Sequence, residues 1–145
     1  MGESHDPETH LIPLVLRAAS GNFELMVFGN DYDTSDGTCI RDYVHVEDLA
    51  SAHIAALEKL LTGGATTAYN LGTGHGLSVQ EVIAGAEKIT GRKVKRKIAP
   101  RREGDPAVLI ADAERARRGL GWTPKYSDLD SVIGTAWKWF QDPRY

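Results

Sequence analysis

The sequence has a single cysteine, Cys39, among its 145 residues, so no disulfide can form within the chain. It has no apolar run near the roughly 20 residues that a membrane-spanning helix needs, and its first residues lack the pattern of a signal peptide. The formal net charge is −3, which disfavours a dedicated nucleic-acid binder. These absences predict a cytoplasmic protein with neither a membrane nor a nucleic acid as its partner.

Two groups of residues that could indicate other functions lack what those functions need. The basic segment 92–102 carries seven lysines and arginines but no aromatic side chain on which a base could stack, so we expect a solvated strand there. The five histidines show no zinc-ligand spacing with the cysteine, and His45 and His53 lie too far apart on a helix to share a metal. We therefore expect no metal.

Residues 1–145 are predicted to form a single domain, because the chain is 41% hydrophobic and 26% charged and has the length of one globular unit. Segments with helical spacing of apolar residues alternate along the chain with segments of extended spacing. This alternation predicts the α/β fold class, with mixed α+β character. The predicted helices cover residues 11–20, 47–61, 79–90, 112–119 and 128–140, and the predicted strands cover residues 25–28, 43–46, 68–71 and 94–98.

Two of these helices carry recognisable capping residues. Ser78 and Glu81 form the pattern of a capping box, in which each side chain accepts a hydrogen bond from the other residue's amide. Ser127 with Asp130 is predicted to cap the last helix. In that helix, apolar spacing predicts an inward face made of Val132, Ile133, Ala136, Trp137 and Phe140.

The most informative segment is residues 41–50, where a permanently charged Arg41 and a phenol, Tyr43, precede the start of a helix. A second cationic cluster, with Arg101 and Arg102, is followed by Asp105. Guanidinium groups give planar, paired donors to phosphate oxygens. Two separate arginine sites with a carboxylate nearby predict a diphosphate that carries a sugar.

The order of the motifs resembles one family, the UDP-glucose 4-epimerases, which are extended short-chain dehydrogenases/reductases. The motifs are Glu-Thr-His-Leu-Ile-Pro at 8–13, Phe-Gly-Asn-Asp-Tyr at 28–32, Asp-Gly-Thr-Cys-Ile-Arg-Asp-Tyr at 36–43, Tyr-Asn-Leu-Gly-Thr-Gly at 69–74, Arg-Arg-Glu-Gly-Asp at 101–105 and Gly-Trp at 121–122. The resemblance implies the C-terminal, substrate-binding lobe of such an isomerase of galactose metabolism. It also implies a strand and a helix that would complete a Rossmann sheet.

The resemblance implies bound NAD for the full-length family, but this chain lacks the Gly-rich NAD fingerprint and the Tyr-x-x-x-Lys catalytic pair. The Gly72–Gly76 turn lacks the full fingerprint spacing, so we interpret it as a turn. We therefore expect no catalytic residue and no cofactor site in this chain, and no activity from the chain alone. A missing Rossmann half is the expected partner of such a lobe.

By resemblance, Arg41 and Arg102 would hold the diphosphate of a UDP-sugar, Tyr43 would lie beside it, and Asp105 would bind the ribose hydroxyls. The backbone of Met26, Val27 and Phe28 would read the uracil edge, Leu11 would line the nucleotide site, and Leu109 would shape the sugar pocket. Each has a structural alternative: a surface ion pair of Arg41 with Asp42 or Glu47, a solvated turn at 102–105, and core packing for the apolar residues.

Without the Rossmann half, the apolar side of the helix at 47–61 and one edge of the strand at 69–71 are expected to face water. That side comprises Leu49, Ala52, Ala56, Leu57 and Leu60. We therefore expect a homo-oligomer. Two alternatives remain open: another extended reductase that acts on nucleotide sugars, and a non-enzymatic, self-associating module.

Overall fold

The computed structural model describes residues 6–21 and 23–143, which form five helices and five strands. In chain order these are α1 (Leu11–Ala19), β1 (Leu25–Phe28), β2 (Ile40–Arg41), α2 (Val46–Leu61), β3 (Leu77–Ser78), α3 (Val79–Thr90), β4 (Arg96–Ala99), β5 (Val108–Leu109), α4 (Glu114–Leu120) and α5 (Leu129–Gln141). The expected mixed α/β class is confirmed. None of the described helices is long and apolar enough to cross a membrane.

The main core lies between three mutually packed helices, α1, α3 and α5, and a parallel pair of strands, β1 and β4. Its buried side chains are Val15, Leu16, Ala18, Ala19, Leu25, Val27, Val82, Ile83, Ala86, Val94 and Ile133. Because side chains alternate along a strand, β1 buries Leu25 and Val27 in this core and turns Met26, which is 38% exposed, to the other side.

A second, smaller core joins α2 to α4 and consists of Ala52, Ala113, Ala116 and Trp122. Beside it the carboxylate of Asp48 is buried, yet it accepts hydrogen bonds from the amides of Lys125 at 2.8 Å and Tyr126 at 2.9 Å. The indole of Trp122 donates to the Asp48 carbonyl at 3.0 Å. A buried charge is tolerated here because its acceptor positions are used.

A three-stranded sheet of two-residue strands carries the segment that the sequence singled out. Its central strand, β2, pairs antiparallel with β3 and parallel with β5. In this register Arg41 lies opposite Leu77 on one side and Leu109 on the other. Pairing on both edges therefore fixes the backbone of Arg41.

The helix ends agree with the sequence in α3 and differ in α5. The Ser78–Glu81 capping box is confirmed, with both reciprocal hydrogen bonds formed. The cap predicted from Ser127 with Asp130 is wrong, because Asp128 is the N-cap and accepts from the Ser131 amide at 2.7 Å. An Asp at this position competes as well as a Ser for the free amides.

Two further predictions about packing are wrong. Phe140 does not face the core, because it is 39% exposed and stacks on Trp137 with ring centroids 5.5 Å apart. Residues 68–71 form no strand, since a strand needs a paired neighbour and the described chain provides none there. Tyr69 and Leu71 pack against the second core instead.

The apolar side of α2 also differs from the expectation. Ala52 is buried in the second core, while Leu57 and Leu60 are 56% and 49% exposed, as expected. The exposed apolar stripe of α2 is formed by Val46, Ile54, Leu57 and Leu61, spaced so that they share one side of the helix. We call these four residues the α2 stripe. The helix begins at Val46, one residue earlier than predicted.

Candidate nucleotide-sugar site

A cavity of about 560 Å³ opens beside α1, β1 and β2. Eight of the nine residues predicted for the site line it: Leu11, Met26, Val27, Phe28, Arg41, Tyr43, Arg102 and Asp105. Leu109, the ninth, does not line the cavity; it lies on β5 opposite Arg41 and is 59% exposed. Residues distant in sequence thus meet in one concave surface.

Arg41 is oriented by two contacts. One guanidinium nitrogen donates to its neighbour's carbonyl, that of Ile40, at 2.6 Å, and another forms an ion pair with Asp105. The two side chains are 20% and 26% exposed, so the pair is largely shielded from water. Asp42, the alternative partner, does not pair with Arg41. The Asp42 carboxylate accepts hydrogen bonds from other parts of the chain instead.

The two adjacent arginines at 101–102 point to different places. Arg101 donates to the Asp31 carboxylate at 2.7 Å and lies 4.3 Å above the Tyr32 ring, away from the cavity. Arg102 lies 3.9 Å above the ring of Phe28, inside the cavity wall. A contact with an aromatic ring uses none of the hydrogen-bond donors of the guanidinium, so the Arg102 nitrogens can still donate to an anion.

The backbone of β1 offers further hydrogen-bonding groups to the cavity. The amides of Leu25 and Gly29 donate to Lys95 and Ala99 at 2.9 Å, on the β4 side. Because hydrogen-bonding direction alternates along a strand, the amides and carbonyls of Met26 and Phe28 point away from β4. Within the described chain β1 pairs with β4 alone, so these groups have no strand partner, and Met26 and Phe28 both line the cavity.

Two neutral acidic groups line the same cavity. Burial raises the pKa of Tyr43 to about 12, with nearby Cys39 adding to the effect and Arg41 opposing it. Burial also raises the pKa of the Cys39 thiol, again against the charge of Arg41. At neutral pH both groups keep their protons. Sequence reasoning missed Cys39 as a lining residue, because a lone cysteine in a motif carries no signal of its position.

A carboxylate just before α1 lines the cavity. The carboxylate of Glu8 accepts from the amides of Thr9 and His10, each at 2.7 Å. Burial alone would raise the pKa of Glu8, but these hydrogen bonds and the His10 ring hold it below its usual value. The Glu8 carboxylate thus occupies the two amides that precede the first turn of α1.

Asp42, between Arg41 and Tyr43, is a structural residue that the sequence did not reveal. Its carboxylate accepts from the amide and hydroxyl of Thr73 and from the amides of Gly74 and Ala111. The carboxylate thus connects β2 with the glycine-rich turn and with the segment after β5. Only the folded chain brings these donors together.

The same contacts decide how the Gly72–Gly76 turn can be used. Its amides at Thr73 and Gly74 donate to Asp42, and a Cβ at Gly72 would lie 2.5 Å from an Asp42 oxygen. A dinucleotide fingerprint needs free amides that a pyrophosphate can approach. The turn therefore does not fit NAD, and the described residues hold no group of three or more side chains that could bind a metal.

The loop that leads into β2 is fixed by a similar network. Asp36 accepts from the amide of Thr38 at 2.9 Å and from its hydroxyl at 2.6 Å, and the Ser78 hydroxyl also donates to it. The Thr38 hydroxyl accepts in turn from the Gln80 amide at 3.2 Å. The start of α3 therefore supports the loop before Arg41.

Comparisons with known proteins identify relatives of this chain. The NAD dependent epimerase/dehydratase family matches residues 1–72. The UDP-glucose 4-epimerase of Lacticaseibacillus casei is 49% identical over 143 residues, which are 98% of this chain and 43% of that protein. The UDP-glucose 4-epimerase of Brucella ovis, solved in complex with NAD, superposes with a TM-score of 0.92 at 51% identity, over 97% of this chain and 43% of its own.

A third relative was solved with a nucleotide. The UDP-glucose 4-epimerase of Bifidobacterium longum, in complex with NAD+ and UDP, superposes with a TM-score of 0.82 at 42% identity, over 92% of this chain and 40% of its own. The chain thus spans less than half the length of the relatives that it matches. The resemblance inferred from the motifs is confirmed: the chain belongs to the UDP-glucose 4-epimerase family, and it matches a part of that family's members.

Proposed function

We propose that this chain binds a UDP-sugar, UDP-glucose or UDP-galactose, in the cavity beside α1, β1 and β2. The observation that carries the proposal is that Arg41 and Arg102, from distant parts of the sequence, line one cavity together with Asp105. Two guanidinium groups match the two phosphates of a nucleoside diphosphate, and a carboxylate matches vicinal ribose hydroxyls. The UDP in the Bifidobacterium longum structure supports the same ligand class.

The remaining contacts follow from the cavity wall. The free backbone groups of Met26 and Phe28 complement the donor and acceptors on the edge of uracil, while Val27 fixes the strand in the core. Leu11 and the ring of Phe28 supply apolar contacts to the base, and Tyr43 flanks the diphosphate. Leu109 is the proposed wall of the sugar pocket, outside the cavity that the described residues form.

Calorimetric titration with UDP tests this proposal. Arg102→Ala should weaken binding by about 1.5–3 kcal/mol, the value of a hydrogen bond to a charged group. The matched control is Arg92→Ala, because Arg92 also lies over an aromatic ring, Trp137 at 5.6 Å, but does not line the cavity. Equal binding by wild type and Arg102→Ala, or no binding by either, would contradict the proposal.

The role proposed for residues 1–145, as a single domain, is the nucleotide-sugar-binding part of an epimerase-like protein. NAD and the catalytic pair are proposed to belong to a Rossmann half, which corresponds to the rest of the relatives' length and would be this chain's partner. The chain alone should be inactive and purify without NAD. Release of stoichiometric NAD on denaturation would show that the Gly72–Gly76 turn has been misinterpreted.

Self-association is a second proposal, and the α2 stripe favours it. Its four side chains are between 56% and 78% exposed, which is unusual for neighbours on one helix side. A second copy of the chain, placed by a two-fold axis, would cover both stripes at once. We further propose the cytoplasm as its location, in accord with the single thiol, Cys39.

A further inference from the structure

Two cation–aromatic contacts lie side by side where the parallel strands β1 and β4 end together. The guanidinium of Arg102 lies 3.9 Å from the ring centroid of Phe28, and that of Arg101 lies 4.3 Å from the ring centroid of Tyr32. In both pairs the ring comes from β1 or the loop after it, and the guanidinium comes from the segment after β4. The Arg102–Phe28 pair lines the cavity, whereas the Arg101–Tyr32 pair does not.

Hydrogen bonds also connect Arg101 to the loop after β1. Its Nε donates to the Asp31 carboxylate at 2.7 Å, and its Nη2 donates to the Asp31 carbonyl. The hydrogen bond from Arg101 holds the pKa of Asp31 below its ordinary value, so the pair stays charged at neutral pH. Because the two side chains are 43% and 71% exposed, this ion pair contributes little to the free energy of unfolding. Its contribution is therefore to geometry rather than to stability.

The ring of Tyr32 completes this contact from the buried side. Tyr32 is 5% exposed, yet its hydroxyl has no hydrogen-bond partner among the residues that the structure describes. Packing therefore holds the ring. A Cβ added at Gly29, whose φ is +84°, would lie 2.6 Å from that ring and 2.7 Å from Cγ of Arg101. The Arg101–Tyr32 pair thus rests directly on the backbone of the residue that follows Phe28.

The Arg102 side chain, by contrast, has no ion pair or hydrogen bond with another described residue, so its place over Phe28 depends on the backbone beside it. We propose that Arg101 is a positioning residue for Arg102. Held by Asp31 and Tyr32, Arg101 fixes the adjacent backbone, so that the second guanidinium stands in the cavity before a diphosphate binds. A side chain that is ordered beforehand loses less conformational entropy on binding. This inference rests on the proposed function, because the UDP site is where the positioning takes effect.

The first test needs no ligand. The face of an aromatic ring shifts nearby proton resonances upfield, so the side-chain protons of Arg102 should show this shift in the NMR spectrum of wild type. Arg102→Ala identifies these signals by their loss. Arg101→Ala should move them toward the values of an exposed arginine. The matched control, Arg92→Ala, should leave them in place, because Arg92 lies over another ring, that of Trp137 at 5.6 Å, outside the cavity.

Calorimetry with UDP then measures the consequence for binding. Arg101→Ala should weaken UDP binding by about three- to tenfold, a part of the loss caused by Arg102→Ala. In the Arg102→Ala background the Arg101→Ala substitution should cause no further loss, because the residue that it positions is gone. Arg101→Lys keeps the positive charge but lacks the planar fork that reaches Asp31 and stacks on the ring, so it should bind UDP as weakly as Arg101→Ala.

No upfield shift in wild type, or unchanged Arg102 signals in Arg101→Ala, would overturn the inference whether or not UDP binds. Shifted signals in a protein whose wild type does not bind UDP would retain the positioning and reject the proposed function, so the two failures are distinguishable. Where wild type binds UDP, unweakened binding by Arg101→Ala or by Arg101→Lys, or additive losses in the double variant, would also overturn the inference.

Asp31→Asn covers the case in which Arg101→Ala does not fold. This variant leaves Arg101 in place but removes the charge of its acceptor. It should therefore move the Arg102 signals and the UDP affinity in the same direction as Arg101→Ala, by a smaller amount. Signals and affinity that both match wild type would contradict the role of the Asp31–Arg101 pair.

Discussion

Asp42 and Thr73 are joined by two hydrogen bonds, from the Thr73 amide at 2.9 Å and from its hydroxyl at 2.7 Å, both to the same carboxylate oxygen. The other oxygen accepts from the amides of Gly74 at 3.2 Å and Ala111 at 3.4 Å. Because Asp42 directly follows Arg41, this carboxylate holds the strand of the cavity arginine against two loops. Its acceptor capacity is nearly filled.

Asp42→Asn should therefore destabilise the protein. The amide oxygen of Asn can keep the two bonds from Thr73, but its NH2 group would face the donors of Gly74 and Ala111. The exposed Gly74 amide can turn to water, but leaving the partly buried Ala111 amide without an acceptor should cost about 1 kcal/mol in the free energy of unfolding. Urea denaturation measures the loss, with Asp31→Asn as the control at an exposed ion pair, which should leave stability nearly unchanged.

A pair of glycine substitutions separates steric crowding from backbone effects. A Cβ at Gly72 would lie 2.5 Å from an Asp42 oxygen and 2.6 Å from the Ala111 side chain, so Gly72→Ala should cost about 1–3 kcal/mol. Gly134, inside α5, has no atom within 4 Å of its added Cβ, so Gly134→Ala should stabilise the helix by up to about 1 kcal/mol. Thermal unfolding of the two variants measures whether each substitution raises or lowers stability. A Gly72→Ala variant that is more stable than wild type would contradict the packing described.

Alkaline pH should act through Tyr43. Its folded pKa, about 12, exceeds the ordinary value of 10.0, so its stabilising contribution is complete below about pH 10 and is lost as pH rises toward 12. Between about pH 9 and about pH 11 the free energy of unfolding of wild type should fall by about 1 kcal/mol more than that of Tyr43→Phe. The comparison is of urea midpoints for the two proteins. Parallel pH curves would show that the phenol titrates normally in the folded protein.

Much of the fold could be predicted from local signals. The capping box at Ser78 and Glu81 and the strand at 25–28 depend on neighbours in sequence, and both form. The last helix shows the limit, because Ser127 and Asp128 are adjacent candidates for one cap and sequence does not choose between them. Residues 68–71 have the composition of a strand, but a strand also needs a partner, which composition does not supply.

The cavity was predicted better through family motifs than through chemistry alone. Arg41 and Arg102 could be singled out as anion-binding residues, and both line the cavity. The pairing of Arg41 with Asp105 was not predictable, because the sequence alternatives were the nearer acids Asp42 and Glu47. Burial and loop geometry decide this choice, since Asp42 is taken by the turn at Thr73.

The α2 stripe yields the last prediction, that the chain self-associates at micromolar concentration. Burying an exposed Leu contributes about 1.5–3 kcal/mol, and Leu57 and Leu61 are 56% and 78% exposed. The double variant Leu57→Lys with Leu61→Lys should shift the mass measured by light scattering toward the monomer. Phe140→Lys is the control, because Phe140 is an exposed apolar residue on α5, away from the stripe. A wild type that stays monomeric on concentration, or a double variant that associates as strongly as wild type, would rule out the stripe as the interface.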